Sequence, residues 1–358
     1  MLKSLALTAG LLLGVAAPSI AADVDASAVI TNAIDGFVRP AYRDFHAATS
    51  KMSEAAAELC AAPSPETLKA ARNSFGDTVD AWSRAEIIRF GPVTEQNRLE
   101  RILFWPDRKS TGLKQVQAAL HARDATAADA DKLPGKSVAM QGLGALEFVL
   151  FGTDADRLAT SEAAYRCAYG AAISANLDTI AGEIEAAWAA SDGFAGTWAK
   201  PAAANALYRD DAEALGELLD VFVTGLELDR DVRLGGFLGK TPEQDKPRQA
   251  LFWRSNRTVA SVSGNLSGMK SLFEASGLGE MLPTGARWIV GSIGFEFDNA
   301  LDALASADGP VAQVLADPEL RGKLDYAGVV TSSLSELFGT RLSGELGLTA
   351  GFSSLDGD

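Results

Sequence analysis

Hydrophobic residues along most of this chain recur at the spacing of an α-helix. Between residues 64 and 88, the apolar residues Leu68, Phe75, Val79 and Trp82 form a stripe typical of a helix with one buried face. Two later stripes have the same kind of spacing: Ile173, Leu177, Ile180, Ile184 and Trp188, and then Leu215, Leu219, Phe222 and Leu226. Because strand-like alternation is scarce and each stripe needs another helix to cover it, the pattern predicts an all-α protein built from helical bundles.

Turn-forming residues divide this helical pattern into segments. Ser64 is a suitable cap for the first striped helix, and Pro65 suits its first turn. A stretch rich in glycine, serine and proline at 191–205 follows a long helical segment near the middle of the chain. We place a domain boundary there and predict a four-helix bundle in 23–195 and another in 196–358. The similar segments LFWPDR and LFWRSNR, one in each half, suggest that the bundles arose by duplication.

The N-terminal segment has the layout of a secretory signal peptide. Lys3 precedes an apolar run from Leu5 through Ala17, and small residues follow at 19–22. The run is shorter than a membrane span requires. No cysteine follows the cleavage region, so no lipid anchor is expected. We therefore predict that residues 1–22 are a signal peptide and that the mature chain is periplasmic, with no membrane span.

The charge of the chain excludes some classes of partner. Asp and Glu number 47 against 32 Lys and Arg, for a net charge of −15 at pH 7. Such an excess of negative charge argues against binding to nucleic acid or to anionic membrane surfaces. It does not by itself indicate a cation site, because most carboxylates on amphipathic helices face water.

The cysteines and histidines are few, and they show no zinc-type spacing. Cys60 and Cys167 are each near a predicted helix end, and disulfides persist in exported proteins. We predict that they pair; the alternative is two buried free thiols. His46 and His121 are the only histidines, and no HExxH motif occurs. A hydrolase built on a histidine-ligated metal is therefore not expected.

Four segments, in this order, resemble the imelysin-like proteins of bacterial cell envelopes: AWSRAEIIRFGPV, RILFWPD, SVAMQGLGALEFVLFG and YRCAYGAAISANL. The resemblance covers essentially the whole mature chain. It implies an exported, all-helical protein with a four-helix bundle in each half, a site near the domain interface and a link to iron uptake. The founding member of the family was described as a peptidase, yet many relatives have no recognisable proteolytic centre.

The family motif GxHxxE corresponds to residues 142–147, which read GLGALE. Gly142 and Glu147 match the motif, but Gly144 occupies the histidine position. A histidine and a glutamate three residues apart lie on one helix face, where they can bind one metal ion together. This chain retains only the carboxylate, so Glu147 is the one ligand that the motif offers to iron or another divalent metal.

Two roles are open for Glu147, which stands among apolar residues where an unpaired charge would be costly. It either meets a cation at the interface between the bundles, a metal ion or an arginine, or forms a structural ion pair. Arg84, Arg89 and Arg101 are plausible partners for such a pair. The glycines of the motif provide either close helix packing or room for a ligand where the family's imidazole would stand.

Other candidate site residues lie at two tryptophan corners. Trp105 precedes a proline, which makes a stiff turn, and Asp107 then either caps the next helix or coordinates an ion. Trp253, Arg254 and Ser255 form a donor-rich corner in the second half that suits an anionic or carbonyl ligand. The complete predicted binding site is Arg89, Trp105, Asp107, Gly142, Gly144, Glu147, Trp253, Arg254 and Ser255.

These observations favour a binding protein over an enzyme. We expect a non-catalytic, exported, imelysin-like protein that serves the uptake of iron or another metal and works beside other envelope iron-uptake proteins. One alternative is a divergent metallopeptidase of the imelysin type. The other is a module that recognises another envelope protein without a metal.

Overall fold

The computed structural model describes residues 25–348, which contain helices and no strand, so the all-α prediction is confirmed. The predicted signal peptide, residues 1–22, lies outside this range. Within it, no helix is long and apolar enough to cross a membrane. The α-helices are α1 Ala26–Ala33, α2 Arg39–Ala61, α3 Pro65–Ala85, α4 Arg98–Ile102, α5 Thr111–Ala122, α6 Leu143–Phe151, α7 Ala164–Ala189, α8 Phe194–Ala199, α9 Asp211–Glu227, α10 Thr258–Ser276, α11 Trp288–Ser306, α12 Val311–Ala316, α13 Pro318–Glu336 and α14 Ser343–Glu345.

Shorter helical segments extend or connect these helices. The π-helical segments Ile34–Val38, Leu228–Leu234 and Leu337–Leu342 continue α1, α9 and α13 without a break. The 3₁₀ turns are Gly91–Val93, Glu95–Asn97, Leu133–Gly135, Val138–Met140, Ala155–Ala159, Ser161–Ala163, Pro242–Gln244, Pro247–Gln249, Leu278–Met281 and Thr284–Ala286. π-helical turns are uncommon and often lie at functional sites.

The start of α3 shows how local sequence sets a helix boundary. The Ser64 hydroxyl accepts a hydrogen bond from the Thr67 N–H at 3.2 Å, and the Thr67 hydroxyl accepts one from the Ser64 N–H at 3.0 Å. This capping box satisfies backbone donors that the first turn leaves free, and Pro65 needs no such partner. The four apolar residues of the predicted stripe are all buried.

The two halves of the chain meet along α3 and α10. In the first half α2 packs on α3 and α7, and in the second half α10 and α13 both pack on α11. A Cβ added at Gly264 would lie 2.5 Å from the Cβ of Ser83, and one at Gly268 would lie 2.7 Å from the Arg84 carbonyl oxygen. Glycine thus lets α10 approach α3 closely. The division into separate bundles at residue 195 and their duplication remain predictions.

A disulfide joins Cys60 at the end of α2 to Cys167 in α7. Their Cα atoms are 5.5 Å apart, and 107 positions separate them along the chain. Cys167 is buried, and Cys60 packs against the core. The bond therefore ties the long helix of the N-terminal region to the helix that follows the family motif.

Candidate functional site

The glycines of the 142–147 motif serve different purposes. Gly142 precedes α6, and a Cβ at this position would lie 2.4 Å from the Ile102 carbonyl oxygen, so close packing requires glycine there. Gly144 is exposed, and a Cβ added to it would meet no atom within 4 Å. The structure therefore has open space at the position that the family motif assigns to histidine.

Glu147 binds a turn in the second half of the chain. Its side chain is buried, and Oε1 accepts hydrogen bonds from the N–H of Arg254 at 3.1 Å and from the N–H and hydroxyl of Ser255 at 3.0 and 2.8 Å. Oε2 is 4.0 Å from Nη1 of Arg254. Positive φ angles of 56° at Phe252 and 58° at Asn256 shape the turn. We call Glu147, Arg254 and Ser255 the Glu147 junction.

The expectation that Arg84, Arg89 or Arg101 pairs with Glu147 is wrong. Nη1 of Arg89 is 3.6 Å from Oε1 of Glu86 instead. Arg101 donates to two neutral amide side chains, and Arg84 has no ion pair among the described residues. The observed partners come more than 100 residues later in the chain, because the packing of α10 on α3 brings the preceding turn onto α6.

Burial and hydrogen bonding change the pKa of Glu147 in opposite directions. Burial raises the pKa of Glu147, while the hydrogen bonds from Ser255 and the charge of Arg254 oppose that rise. Burial also lowers the pKa of Arg254. The Arg254 guanidinium lies 4.4 Å from the centre of the Trp253 ring and 5.4 Å from that of Phe148, which favours its charged form.

A second polar group lies between the halves, just after the end of α3, on α10 and on the π-helical segment after α9. We call it the Arg233 cluster and define it as Glu86, Asp229, Arg233 and Asn265, all of which are buried. Nη2 of Arg233 donates to Oε2 of Glu86, and the guanidinium lies 4.9 Å from the centre of the Trp105 ring. Charged groups from both halves therefore meet inside the molecule.

Several buried atoms of the Arg233 cluster have no hydrogen-bond partner in the described protein. They are both carboxylate oxygens of Asp229, Nε and Nη1 of Arg233, and Oδ1 of Asn265. Nearly all buried polar atoms in folded proteins are hydrogen-bonded, so this cluster has unused donors and acceptors. Burial raises the pKa of Asp229 well above its usual range; Glu86 adds to that rise, and Arg233 opposes it.

The sequence matches a known protein family, and the fold is similar to that of solved structures. Residues 38–337 match the Imelysin family model. The chain belongs to the imelysin family. Its fold is similar to that of an imelysin-like protein from Psychrobacter arcticum 273-4, with a TM-score of 0.65 and 22% identity over 93% of this chain and 100% of that one. It is also similar to a protein from Parabacteroides distasonis ATCC 8503 named as an iron-regulated protein A precursor, with a TM-score of 0.67 and 16% identity over 87% of this chain and 95% of that one. Among curated proteins, none matches the chain.

In this imelysin the predicted site residues fall into separate groups. Gly142, Gly144, Glu147, Trp253, Arg254 and Ser255 lie at or beside the Glu147 junction. Arg89 and Trp105 instead contact the Arg233 cluster. Asp107 belongs to neither group, because its carboxylate accepts hydrogen bonds from the N–H groups of Thr111 at 2.6 Å and Gly112 at 2.9 Å and so caps α5.

The residues of the Arg233 cluster were not predicted from the sequence: Glu86, Asp229, Arg233 and Asn265. A signal was nevertheless present, because the stripe that ends at Trp82 continues four residues later to Glu86. The stripe that ends at Leu226 likewise continues at helical spacing to Asp229 and Arg233. Charged residues in register with an apolar face indicate buried charge, whereas a run such as LDRDVR is easily mistaken for solvated surface.

The residues of this imelysin do not fit a resident metal ion at either location. No group of three or more His, Cys, Asp or Glu side chains within 25–348 is arranged to hold one. Oε1 of Glu147 is surrounded by hydrogen-bond donors, and Arg233 places a positive charge beside the carboxylates of its cluster. A metal prefers several neighbouring electron-pair donors without a competing cation.

Proposed function

We propose that this imelysin is an exported, non-catalytic binding protein that serves bacterial iron uptake and binds its ligand at the Arg233 cluster. The unpartnered atoms of Asp229 and Arg233 carry this proposal, because a polar ligand with both donors and acceptors would satisfy them. Arg89, beside Glu86, has a side chain 40% exposed and connects the cluster to the surface. The link to iron is supported by the family and by the name of the similar Parabacteroides protein.

The Glu147 junction has a supporting role in this proposal. The turn that Glu147 holds leads directly into α10, which begins at Thr258 and carries Asn265 of the Arg233 cluster. A neighbouring contact, between Nη1 of Arg257 and Oδ2 of Asp80 at 3.2 Å, ties the same point to α3. The junction therefore fixes where α10 places its part of the site. Iron would be cargo, brought with a ligand or by a partner, rather than an ion held by Glu147.

Native mass spectrometry and elemental analysis of protein isolated from the periplasm without chelators test this function. We expect the mature wild-type chain to retain a small bound ligand and the Asp229→Asn variant to lose it. Asp231→Asn is a matched control, because Asp231 lies in the same π-helical segment but is exposed and pairs with Arg230 at the surface. A ligand retained equally by all three proteins, or absent from all three, would contradict the proposed site.

The enzyme alternative predicts a different result. A divergent metallopeptidase would cleave a peptide substrate and would lose that activity when metal is removed with a chelator. In our proposal Glu147 has no role as a base, since three donors hold its Oε1 and Nη1 of Arg254 lies 4.0 Å from its Oε2. We therefore expect no chelator-sensitive cleavage by the purified chain.

A second candidate function is recognition of another envelope protein, favoured by apolar side chains on α11. Trp288 and Phe295 are 58% and 66% exposed, and they are seven positions apart, which puts them on one helix face. Large exposed apolar residues that share a face often mark contact surfaces. Coexpression with envelope iron-uptake proteins, comparing wild type with a Trp288→Ser and Phe295→Ser double variant, tests this function. Capture that is unchanged in the double variant would reject it.

A further inference from the structure

A cavity of about 610 Å³ opens on the first half of the chain. It lies between the end of α5, the loop after α6 and the start of α7, and none of its lining residues belongs to the Arg233 cluster. Its volume falls within the ~300–1,000 Å³ that is common for small-molecule sites. The cavity is therefore large enough to hold a compact organic ligand.

Three arginines line this cavity although the chain is strongly acidic, with a net charge of −15. Arg123, Arg157 and Arg166 are joined in the lining by the acids Asp154 and Glu162, and His121 adds a further nitrogen donor or acceptor. Arg157 and Glu162 form an ion pair at 3.0 Å, and both side chains are exposed. Because exposed ion pairs contribute little stability, an anionic ligand can replace Glu162 as the partner of Arg157 at small cost.

One arginine of the lining is unpartnered, and another is held in place. Arg123 follows α5 with a φ of 50°, and its side chain has no hydrogen-bond or ion-pair partner within residues 25–348. Arg166 is fixed by hydrogen bonds to three carbonyl oxygens around the end of α6, at 2.6 to 2.8 Å. These bonds use only some of its N–H groups, so the guanidinium is oriented in advance and can still donate to a ligand.

The remaining wall provides an apolar surface. Phe148 is buried and lines the cavity, and its ring lies between the guanidinium of Arg166 at 5.6 Å and that of Arg254 at 5.4 Å. A ligand in the cavity would thus meet the aromatic residues Phe148 and Tyr165 and several cationic groups. The same ring belongs to the residue after Glu147, so the cavity adjoins the Glu147 junction.

We infer that this cavity binds a small multivalent oxyanion, a compact molecule that carries several carboxylate or phosphate groups. Arginine recognises both groups with paired, charge-assisted hydrogen bonds, and separate arginines on the walls suit a ligand with more than one anionic group. This inference does not rest on the proposed function at the Arg233 cluster.

Isothermal titration calorimetry of the full mature protein at low ionic strength tests the inference. The probes are citrate, for carboxylates, and pyrophosphate, for phosphates. We expect one of them to bind and the affinity to fall at least about tenfold in Arg123→Ala, since a charge-assisted contact is lost. Arg43→Ala is the matched control, because Arg43 is an exposed arginine on α2 outside the cavity.

The outcomes separate specific binding in this cavity from general charge attraction. Tighter binding of citrate would indicate a ligand with carboxylate groups, and tighter binding of pyrophosphate would indicate a ligand with phosphate groups. Either result supports the inference if Arg123→Ala weakens binding of the probe and Arg43→Ala does not. Equal weakening by both variants would show that net charge alone attracts the probe and would overturn the inference, as would the failure of both probes to bind. No residue of the Arg233 cluster lines this cavity, so the two sites can fail independently.

Discussion

Replacing Glu147 tests whether one carboxylate holds the two halves of this imelysin together. In Glu147→Ala, the N–H groups of Arg254 and Ser255 and the Ser255 hydroxyl all lose their acceptor. Leaving a donor without its acceptor typically costs about 1 to 3 kcal/mol, and three donors of the half-buried Arg254 and Ser255 lose theirs here. We therefore expect Glu147→Ala to lower the free energy of unfolding by about 3 to 5 kcal/mol.

Two other substitutions separate the contribution of the Glu147 charge from that of the Ser255 hydrogen bond. Glu147→Gln keeps an acceptor oxygen and the side-chain shape but removes the charge, so its cost should be smaller than that of Glu147→Ala. Ser255→Ala removes one of the three hydrogen bonds and leaves both backbone donors paired, so we expect a loss of about 1 to 3 kcal/mol. The expected order of unfolding free energy is wild type, then the two milder variants, then Glu147→Ala.

Denaturation with guanidinium chloride, followed by circular dichroism, measures these differences. Glu58→Ala is a suitable control, because Glu58 is an exposed helical glutamate on α2. A loss below about 1 kcal/mol in Glu147→Ala, or an equal loss in the Glu58→Ala control, would refute the reasoning. So would a Ser255→Ala variant as unstable as Glu147→Ala, because the hydroxyl alone would then account for the whole effect.

The remaining predictions concern the motif glycines, the disulfide and the buried acid. Gly144→Ala should raise the free energy of unfolding by up to about 1 kcal/mol, because its Cβ enters open space in a helix. Gly142→Ala should lower the free energy of unfolding, because its Cβ would lie 2.4 Å from a carbonyl oxygen. The denaturant midpoints of the two variants check this difference in sign. Reducing the Cys60–Cys167 bond, which spans 107 positions, should lower the free energy of unfolding by about 4 to 5 kcal/mol in the chain-entropy model. Denaturation with and without reductant measures this difference. Burial raises the pKa of Asp229, so the folded state keeps the Asp229 proton to higher pH than the unfolded state does. The free energy of unfolding of the wild type should therefore fall as pH rises from about 4 through that raised pKa, and Asp229→Asn should lack this fall. Denaturation at a series of pH values would contradict the assignment if both proteins followed the same curve.

The sequence predicted the helices well because their signals are local. The cap at Ser64, the proline after it and the apolar stripe of α3 all act within a few turns of one helix. The family motif likewise directed attention to Glu147. These local signals did not predict that Trp105 contacts Arg233 while Trp253 contacts Arg254, because those contacts depend on how helices from different halves pack.

The contacts of the site were harder to predict for the same reason. Glu147 was expected to pair with Arg84, Arg89 or Arg101, yet its partners lie in a turn whose shape depends on positive φ at Phe252 and Asn256. The burial of Asp229 depends on α10 and α13, which pack on the π-helical segment in which it lies. Such partners become visible only when the tertiary structure places them side by side.

A high-resolution structure of the protein isolated from the periplasm tests the central claim most directly. Our account predicts a bound ligand, other than water, in contact with the carboxylate of Asp229 and with Nε or Nη1 of Arg233, the atoms that have no partner within the described chain. A cluster in which Asp229 pairs directly with Arg233, or in which water alone fills the hydrogen bonds, would contradict the assignment of this interface as the binding site.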